Sequence, residues 1–418
     1  MRFRLDCPVR RPPDANETAR GIVPFDAIQP YWFDTGPQWV FEQFVAFKQK
    51  DEDGTETKDD VQQLVARAEA RSSPDGAPSF VLLVKREGAG NLRHCLMEIW
   101  SMTMTLDVLR LAQRQNGEPF YNSPADMDNT YVVVLDNHGA GPTQDLWRVF
   151  SRNPVVTLDD MVRHTERVPA PLRVSDAAVT QTNIVVPLPG GSNPLWHNDW
   201  IVRDCGPRDA PLLRLFVQRV FDHFDVALLL GPKVPVGNGN IVVTFIDRRG
   251  TRQLLDNEHL LDALRQRYPD ITVQSFDFAT LSLPDQLRLV QDTDVLVGVH
   301  GAGLTHAMFM RAGAGAVVEI QPEGLGYKGF RNLAAMTGQK YFGAQAAMVT
   351  AKELETAKTQ SKEPDSPGEN QRHRLRRGEP AKPWQLAHVR IEEDRFLALM
   401  DVAIRSVYNE GLRDEFVV

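Results

Sequence analysis

Thr293-Asp294-Val295-Leu296-Val297-Gly298-Val299-His300-Gly301-Ala302-Gly303-Leu304-Thr305-His306 is the stretch that decides the fold. Its unbroken apolar run reads as a strand buried on both faces, which favours a parallel sheet covered by helices. The strand runs into a glycine-rich turn, and Leu304 to Met310 reads as the start of a helix. A helix that begins at a strand's C-terminal edge aims free amides and a partial positive charge into the crevice there. Gly301 and Gly303 remove side chains that would hold an anion away from those amides. The next strand, Ala316-Val317-Val318-Glu319-Ile320, carries an acid near its end. Turn plus acid is an arrangement that holds a nucleotide diphosphate by its phosphates and ribose hydroxyls.

Working outward, the same alternation recurs on both sides. Upstream of the turn, strand Ile241 to Ile246 leads to helix Asn257 to Arg267, strand Ile271 to Phe276 and helix Asp285 to Gln291. Earlier still, strand Ser79 to Lys85 leads through Glu87-Gly88-Ala89-Gly90-Asn91 to a long helix, Leu92 to Ala112, and a second strand, Thr130 to Asp136. Gly231 to Asn240, rich in Gly and Pro, separates the two series as a linker. Two doubly wound α/β domains facing each other are expected. The expected boundaries are an irregular arm over 1–75, one α/β domain over 76–230, a nucleotide-binding α/β domain over 240–350, a polar insert over 351–385 and a terminal helix within 386–418.

Bulk properties narrow the function. With 418 residues, 42% hydrophobic and 24% charged, the chain has the composition of an ordinary globular protein. A formal charge of −8 argues against nucleic acid as the main partner. No apolar run approaches the roughly 20 residues that span a bilayer, and the start of the chain lacks a signal-peptide core. Cys7, Cys95 and Cys205 are too few and scattered for a zinc site or a disulfide framework.

The glycines run G-x-x-G-x-G (Gly298, Gly301, Gly303) after a late strand, whereas the dinucleotide fingerprint follows the first strand of its domain, which counts against a nicotinamide enzyme. A glycine pair by itself reads as a tight packed turn; Glu319 and nearby arginines move the reading toward a ligand site. Asp247-Arg248-Arg249-Gly250-Thr251-Arg252 closes the first strand of the second series, and parallel strands share one C-terminal rim. Such a run is often a plain solvated turn. Against a diphosphate, an arginine at ~4 Å supplies up to ~4 kcal/mol at an effective dielectric near 20, and a helix end only ~0.3–1 kcal/mol. No acidic cluster makes a convincing magnesium site, so metal-independent chemistry is expected. In the first series, Asn91, His94 and Glu98 fall on one helix face, where His or Glu could serve as general base and Asn91 as a helix cap.

Together these residues resemble glycosyltransferase family 61. The resemblance rests on Asp285-Gln286-Leu287-Arg288 through Asp294, on Gly298 to His306, on Val317-Val318-Glu319, on Arg248 and Arg252, and on Asn91-Leu92-Arg93-His94 with Glu98. It implies a GT-B fold of two facing Rossmann-like domains with a cleft between them, and an inverting, metal-independent transfer needing no cofactor beyond a UDP-sugar donor. UDP-GlcNAc is the implied donor, and a Ser/Thr hydroxyl of a protein the implied acceptor. Donor contacts then fall on Arg248, Arg252, His300, Gly301, Ala302, Gly303, Thr305 and Glu319. The base falls on Glu98, with His94 as runner-up. Another donor such as UDP-xylose, a glycan acceptor, and a catalytically silent nucleotide-sugar-binding protein are the alternatives. The lumen of the endoplasmic reticulum or Golgi is implied as location. The chain departs from the animal members in two places: Arg152-Asn153-Pro154 replaces an Asp-x-Asp-like triplet, and the end, Arg413 to Val418, lacks a retention tetrapeptide.

Overall fold

The computed structural model describes residues 31–48, 79–113, 116–169, 182–202, 210–231, 241–313, 315–349 and 382–408, with Arg2–Asp6, Val65–Ala66, Glu415–Val417 and a few isolated positions. Most of the expected linker and polar insert, and both Cys7 and Cys205, lie outside the described residues. The chain divides into two units: Met1–Ala89 with His94–Asn193, and Gly90–Arg93 with Pro194–Val418.

The lead-in carries more regular structure than its composition announces. Strands β1 (Arg2–Asp6), β2 (Val45–Lys48) and β3 (Val65–Ala66) form a parallel sheet in the order β2-β1-β3, and helix α1 (Pro37–Phe44) precedes β2. Pro37 starts that helix, where its missing N–H costs nothing. Val40 and Val45 are buried in the core of the first unit, with Phe41 and Phe44 packed against it.

The first unit's main sheet contains β4 (Ser79–Val84), β5 (Thr130–Val134), β6 (Val156–Thr157) and β7 (Thr182–Val185), all parallel, in the order β6-β5-β4-β7. Val81, Leu83, Tyr131 and Val133 fill its core. Helix α2 (Leu92–Leu111) leaves β4 by the glycine turn, and the short helix α3 (Leu158–Arg163) is closed at its start by a reciprocal Thr157–Asp160 capping box.

The second unit begins with helices α4 (Pro194–His197) and α5 (Pro211–His223). Its sheet contains β8 (Val242–Asp247), β9 (Thr272–Asp277), β10 (Val295–Val299), β11 (Ala316–Pro322) and β12 (Lys340–Met348), in parallel, with β13 (Val389–Arg390) antiparallel on the edge and β14 (Glu415–Val417) also on β12. Helices α6 (Asn257–Arg267), α7 (Leu283–Gln291), α8 (Gly329–Thr337), α9 (Pro383–Leu386) and α10 (Glu393–Tyr408) complete the unit. The apolar run that opened the sequence reading is β10, with Val295, Leu296 and Val297 wholly buried.

Strand order fixes where ligands can reach the backbone. Counting from β8, the second sheet runs 2-1-3-4-5, so its order reverses between β8 and β10. Counting from β4, the first sheet runs 3-2-1-4 and reverses between β4 and β7. At such a switch point the loops leave in opposite directions and open a crevice at the strands' carboxyl ends. The arginine loop follows β8 and the His300 turn follows β10, so both expected donor elements leave the second sheet at its switch point. Glu87 to Asn91 and Val186 to Pro189 leave the first sheet at its own.

Candidate active site

The His300 turn leads into a 3-10 helix, Ala302–Phe309, in place of the expected α-helix. The amides opening a helix have no partner within it, so the turn still presents donors. Gly301 is extended and unstrained; its requirement is space. A Cβ there would stand 2.3 Å from Arg248 Nη1, because that guanidinium lies against the turn. A Cβ on Gly303 would meet Ile246 Cγ2 at 3.0 Å.

Arg248 is the informative cation. Its Nε donates to the Thr251 carbonyl at 3.0 Å, and among the described residues no carboxylate lies within ion-pair distance of it. Burial, opposed by the field of Asp277, pulls its pKa below the ordinary arginine value; arginine still stays protonated. A half-buried charge with no carboxylate in ion-pair contact carries a desolvation cost, and a bound anion would relieve it. Arg252, in the same loop, adopts a left-handed backbone (φ 59°) and lies 5.9 Å from the Trp384 ring centroid. A left-handed non-glycine residue costs of order 1–3 kcal/mol and is a hallmark of functional loops.

Glu319 corrects the sequence reading. It is wholly buried, and both oxygens are occupied: Oε1 lies 2.6 Å from His300 Nδ1, and Oε2 accepts from the Tyr341 hydroxyl at 2.7 Å. It is therefore not placed to meet ribose hydroxyls; it orients His300. Gly343, the register partner of Glu319 on β12, has no Cβ, which would otherwise crowd the Tyr341 hydroxyl at 3.0 Å. Burial and Glu319 both push the Tyr341 pKa upward, so Tyr341 remains a proton donor. Burial lowers the His300 pKa against the pull of Glu319, and Arg252 and Arg248 lower it further. The neutral ring donates from Nδ1 and leaves Nε2 as its acceptor. Tyr327, Phe330 and Trp384 surround that ring edge-on at 4.7, 5.5 and 5.6 Å.

Thr305 is fully buried beneath the turn, and its Oγ1 has no hydrogen-bond partner among the described residues. His306 lies beneath the turn, Nδ1 2.8 Å from the Gly303 carbonyl and Nε2 2.6 Å from Gln286 Oε1, and the neutral ring donates to one of these two acceptors. Burial lowers its pKa to about 4. Gln286 in turn donates to the carbonyls of Phe278 and Leu281. This brace explains why Gln286, in the α7 segment quoted above, belongs with the glycine turn 15 residues downstream.

At the first unit's switch point, Glu98 is 5% exposed and lines a ≈ 20 Å³ cavity with Leu83, Lys85, Met102, Trp147 and Leu188. That volume fits about one water or hydroxyl oxygen. Glu98 Oε1 accepts from the Glu87 amide at 2.6 Å, and Oε2 has no hydrogen-bond partner among the described residues. Burial holds its pKa well above the ordinary carboxylate range, with the nearby Glu87 and Asp136 charges adding to the rise. His94 pairs instead with Glu87 Oε1 at 2.9 Å. Asn91 acts as the expected cap, its Oδ1 accepting from the Arg93 amide at 3.0 Å. Cys95 is an inert core thiol, its pKa pushed up to about 12 by burial.

Three features escaped the sequence reading. Arg93 is buried in the second unit, ion-paired with Asp199 and lying over the rings of Tyr327 (5.6 Å) and Phe330 (5.2 Å). Tyr341 holds Glu319, and Trp384 meets His300 from beyond the polar insert. No local pattern marks any of them, since each gains its partner from a distant part of the chain. Among the described residues no group of three or more His, Cys, Asp or Glu could hold a metal ion, and no described helix is long and apolar enough to cross a membrane.

The sequence profile of Glycosyltransferase 61 matches residues 92–317, just over half the chain. The chain is 30% identical over 56% of its length to the EGF domain-specific O-linked N-acetylglucosamine transferase of Drosophila melanogaster, covering 39% of that protein. It is 31% identical over 44% of its length to the Mus musculus protein of the same name, covering 32% of it. It is also 31% identical over 34% of its length to the Protein O-linked-mannose beta-1,4-N-acetylglucosaminyltransferase 2 of Bos taurus, covering 25% of that protein. The chain thus spans well under two thirds of the curated relatives it matches. With the profile covering both the Glu98 helix and the His300 turn, the chain belongs to the glycosyltransferase 61 family.

Proposed function

We propose that this chain is an inverting, metal-independent glycosyltransferase of the GT-B type that moves N-acetylglucosamine from UDP-GlcNAc to a Ser or Thr hydroxyl of a protein acceptor in the secretory-pathway lumen. The observation that carries the reading is Arg248: a half-buried guanidinium with no carboxylate partner among the described residues, packed against a glycine turn at a sheet switch point. Diphosphate is the anion that suits two arginines and a row of turn amides.

In the proposed reaction the acceptor oxygen attacks the anomeric carbon as the bond to the β-phosphate oxygen breaks, and the acceptor proton passes to Glu98. Arg248, Arg252 and the amides of Gly301, Ala302 and Gly303 take up charge developing on the departing UDP. They supply in fixed form the neutralisation a divalent ion could otherwise give. Neutral His300, oriented by Glu319, offers Nε2 to a donor hydroxyl. The raised pKa of Glu98 suits a base, and its unpartnered oxygen beside a water-sized cavity suits an incoming hydroxyl.

A glycan acceptor is the second reading, favoured by the similarity to a protein whose name specifies O-linked mannose. A thermal-shift panel of UDP-sugars tests the proposal: UDP-GlcNAc should stabilise the chain above UDP-xylose and UDP-glucose. UDP release on adding a hydroxyl acceptor, persisting in EDTA, should follow. Absence of stabilisation by every uridine nucleotide sinks the reading.

A further inference from the structure

We infer that Trp384, together with Arg252, forms the platform on which the nucleobase of the donor stacks, an assignment that rests on the nucleoside-diphosphate reading of this site. The segment carrying Trp384 is built into the second unit by backbone lacing. The Val389 amide donates to the Gln253 carbonyl, and the Leu255 amide donates to the Val389 carbonyl, both at 2.9 Å. That lacing brings the end of the arginine loop alongside the chain as it emerges from the polar insert. Helix α9 is a single turn fixed locally, with Pro383 at its first position and Gln385 Oε1 accepting from the Lys382 amide at 2.8 Å. Trp384 is thereby held half-buried, with its ring against the His300 ring and beneath the Arg252 guanidinium.

Three groups thus meet at one place. Arg252 is a cation for phosphate, His300 sits at the head of the glycine turn, and Trp384 offers a broad aromatic surface. A nucleoside diphosphate joins the matching groups in one molecule, its flat base standing one ribose away from its phosphates. A partly exposed indole beside a phosphate-binding arginine suits the base, since every nucleobase has a π-face and stacking needs no hydrogen-bond match. A guanidinium over the same ring adds cation–π attraction and fixes the ring's tilt. Arg252 combines a left-handed backbone with a guanidinium lying over the Trp384 ring.

The test is calorimetric titration of UDP and of inorganic pyrophosphate into the full chain and its W384A, W384L and W384F variants. Stacking predicts that UDP affinity falls roughly tenfold in W384A and in W384L, stays within about threefold in W384F, and that pyrophosphate binding is unchanged in all three. Unchanged pyrophosphate binding also reports that each variant is folded. UDP affinity insensitive to all three substitutions, or restored equally by Leu and Phe, overturns the assignment. Tighter UDP binding by W384A overturns it as well, by making Trp384 a plug. A wild-type chain that binds neither probe overturns the parent reading, and this inference with it.

Discussion

Arg86 and Arg248 each follow the first strand of a parallel sheet, one in each unit, and their guanidinia meet different surroundings. Arg86 donates through Nε and Nη2 to both oxygens of Asp136, at 3.1 and 2.8 Å, and through Nη1 and Nη2 to Gln144 Oε1 and the His138 carbonyl. Arg248 has one carbonyl and, among the described residues, no carboxylate. The same residue type at the same topological place is an internal anchor in one unit and a waiting charge in the other. The acid–base polarity of the two switch points is inverted accordingly. The first unit's rim keeps Arg86 neutralised and holds Glu98, whose Oε2 has no hydrogen-bond partner among the described residues; the second leaves Arg248 without a carboxylate among the described residues and ties its own carboxylate, Glu319, to His300 and Tyr341.

Four changes break or sharpen this contrast, from the largest expected effect to the smallest. Glu98→Gln should lower kcat by about 10²–10⁴ while UDP binding is kept, as loss of a general base does. In the wild type the rate should climb with pH through a value above the ordinary carboxylate range, since only ionised Glu98 accepts a proton; steady-state kinetics across pH checks both.

Arg86→Ala should destabilise the fold by about 3–5 kcal/mol, because it strands Asp136 in a buried site. Urea unfolding reads that loss, and UDP affinity at the folded fraction should be unaltered. A donor defect without a stability defect would reverse the roles assigned to the two arginines.

His306 ties stability to acidity. Its folded value near 4 lies below its ordinary 6.5, so the unfolded chain binds its proton first. Stability from this group is complete above about pH 6.5 and disappears as pH falls toward 4, a loss of about 3 kcal/mol. The difference between wild type and His306→Gln in urea midpoints at pH 7 and pH 4 isolates this group from other titrating residues.

Arg248→Ala should weaken UDP by about 1.5–3 kcal/mol, the worth of hydrogen bonds to a charged group, with little loss of stability.

Much of this frame was legible in the sequence, for a physical reason. Strands buried on both faces must be apolar throughout, so Val295 to Val299 and Phe80 to Val84 announced parallel sheets without alignment or ligand. Helix α6 falls on Asn257–Arg267 as its pattern implied, Arg248 and His300 directly follow β8 and β10, and Glu98 lies on helix α2. Side-chain direction was not legible. Glu319 looked like a rim acid, but its place inside β11, opposite Gly298 and Gly343, turns it into the unit. Thr305 looked like a ligand contact and is buried under the turn. Trp384 follows a long polar stretch and acquires meaning only through the pairing of Leu254 with Val389. Helix α1 was hidden in a stretch whose composition reads as irregular, because its apolar face is completed by the core of the first unit.

The most direct test is a crystal structure of the chain with UDP. The account predicts the diphosphate between Arg248, Arg252 and the amides of Gly301 to Gly303, at the carboxyl ends of β8 and β10. UDP bound at the first unit's rim, or Arg248 turned away from the phosphates, would contradict it.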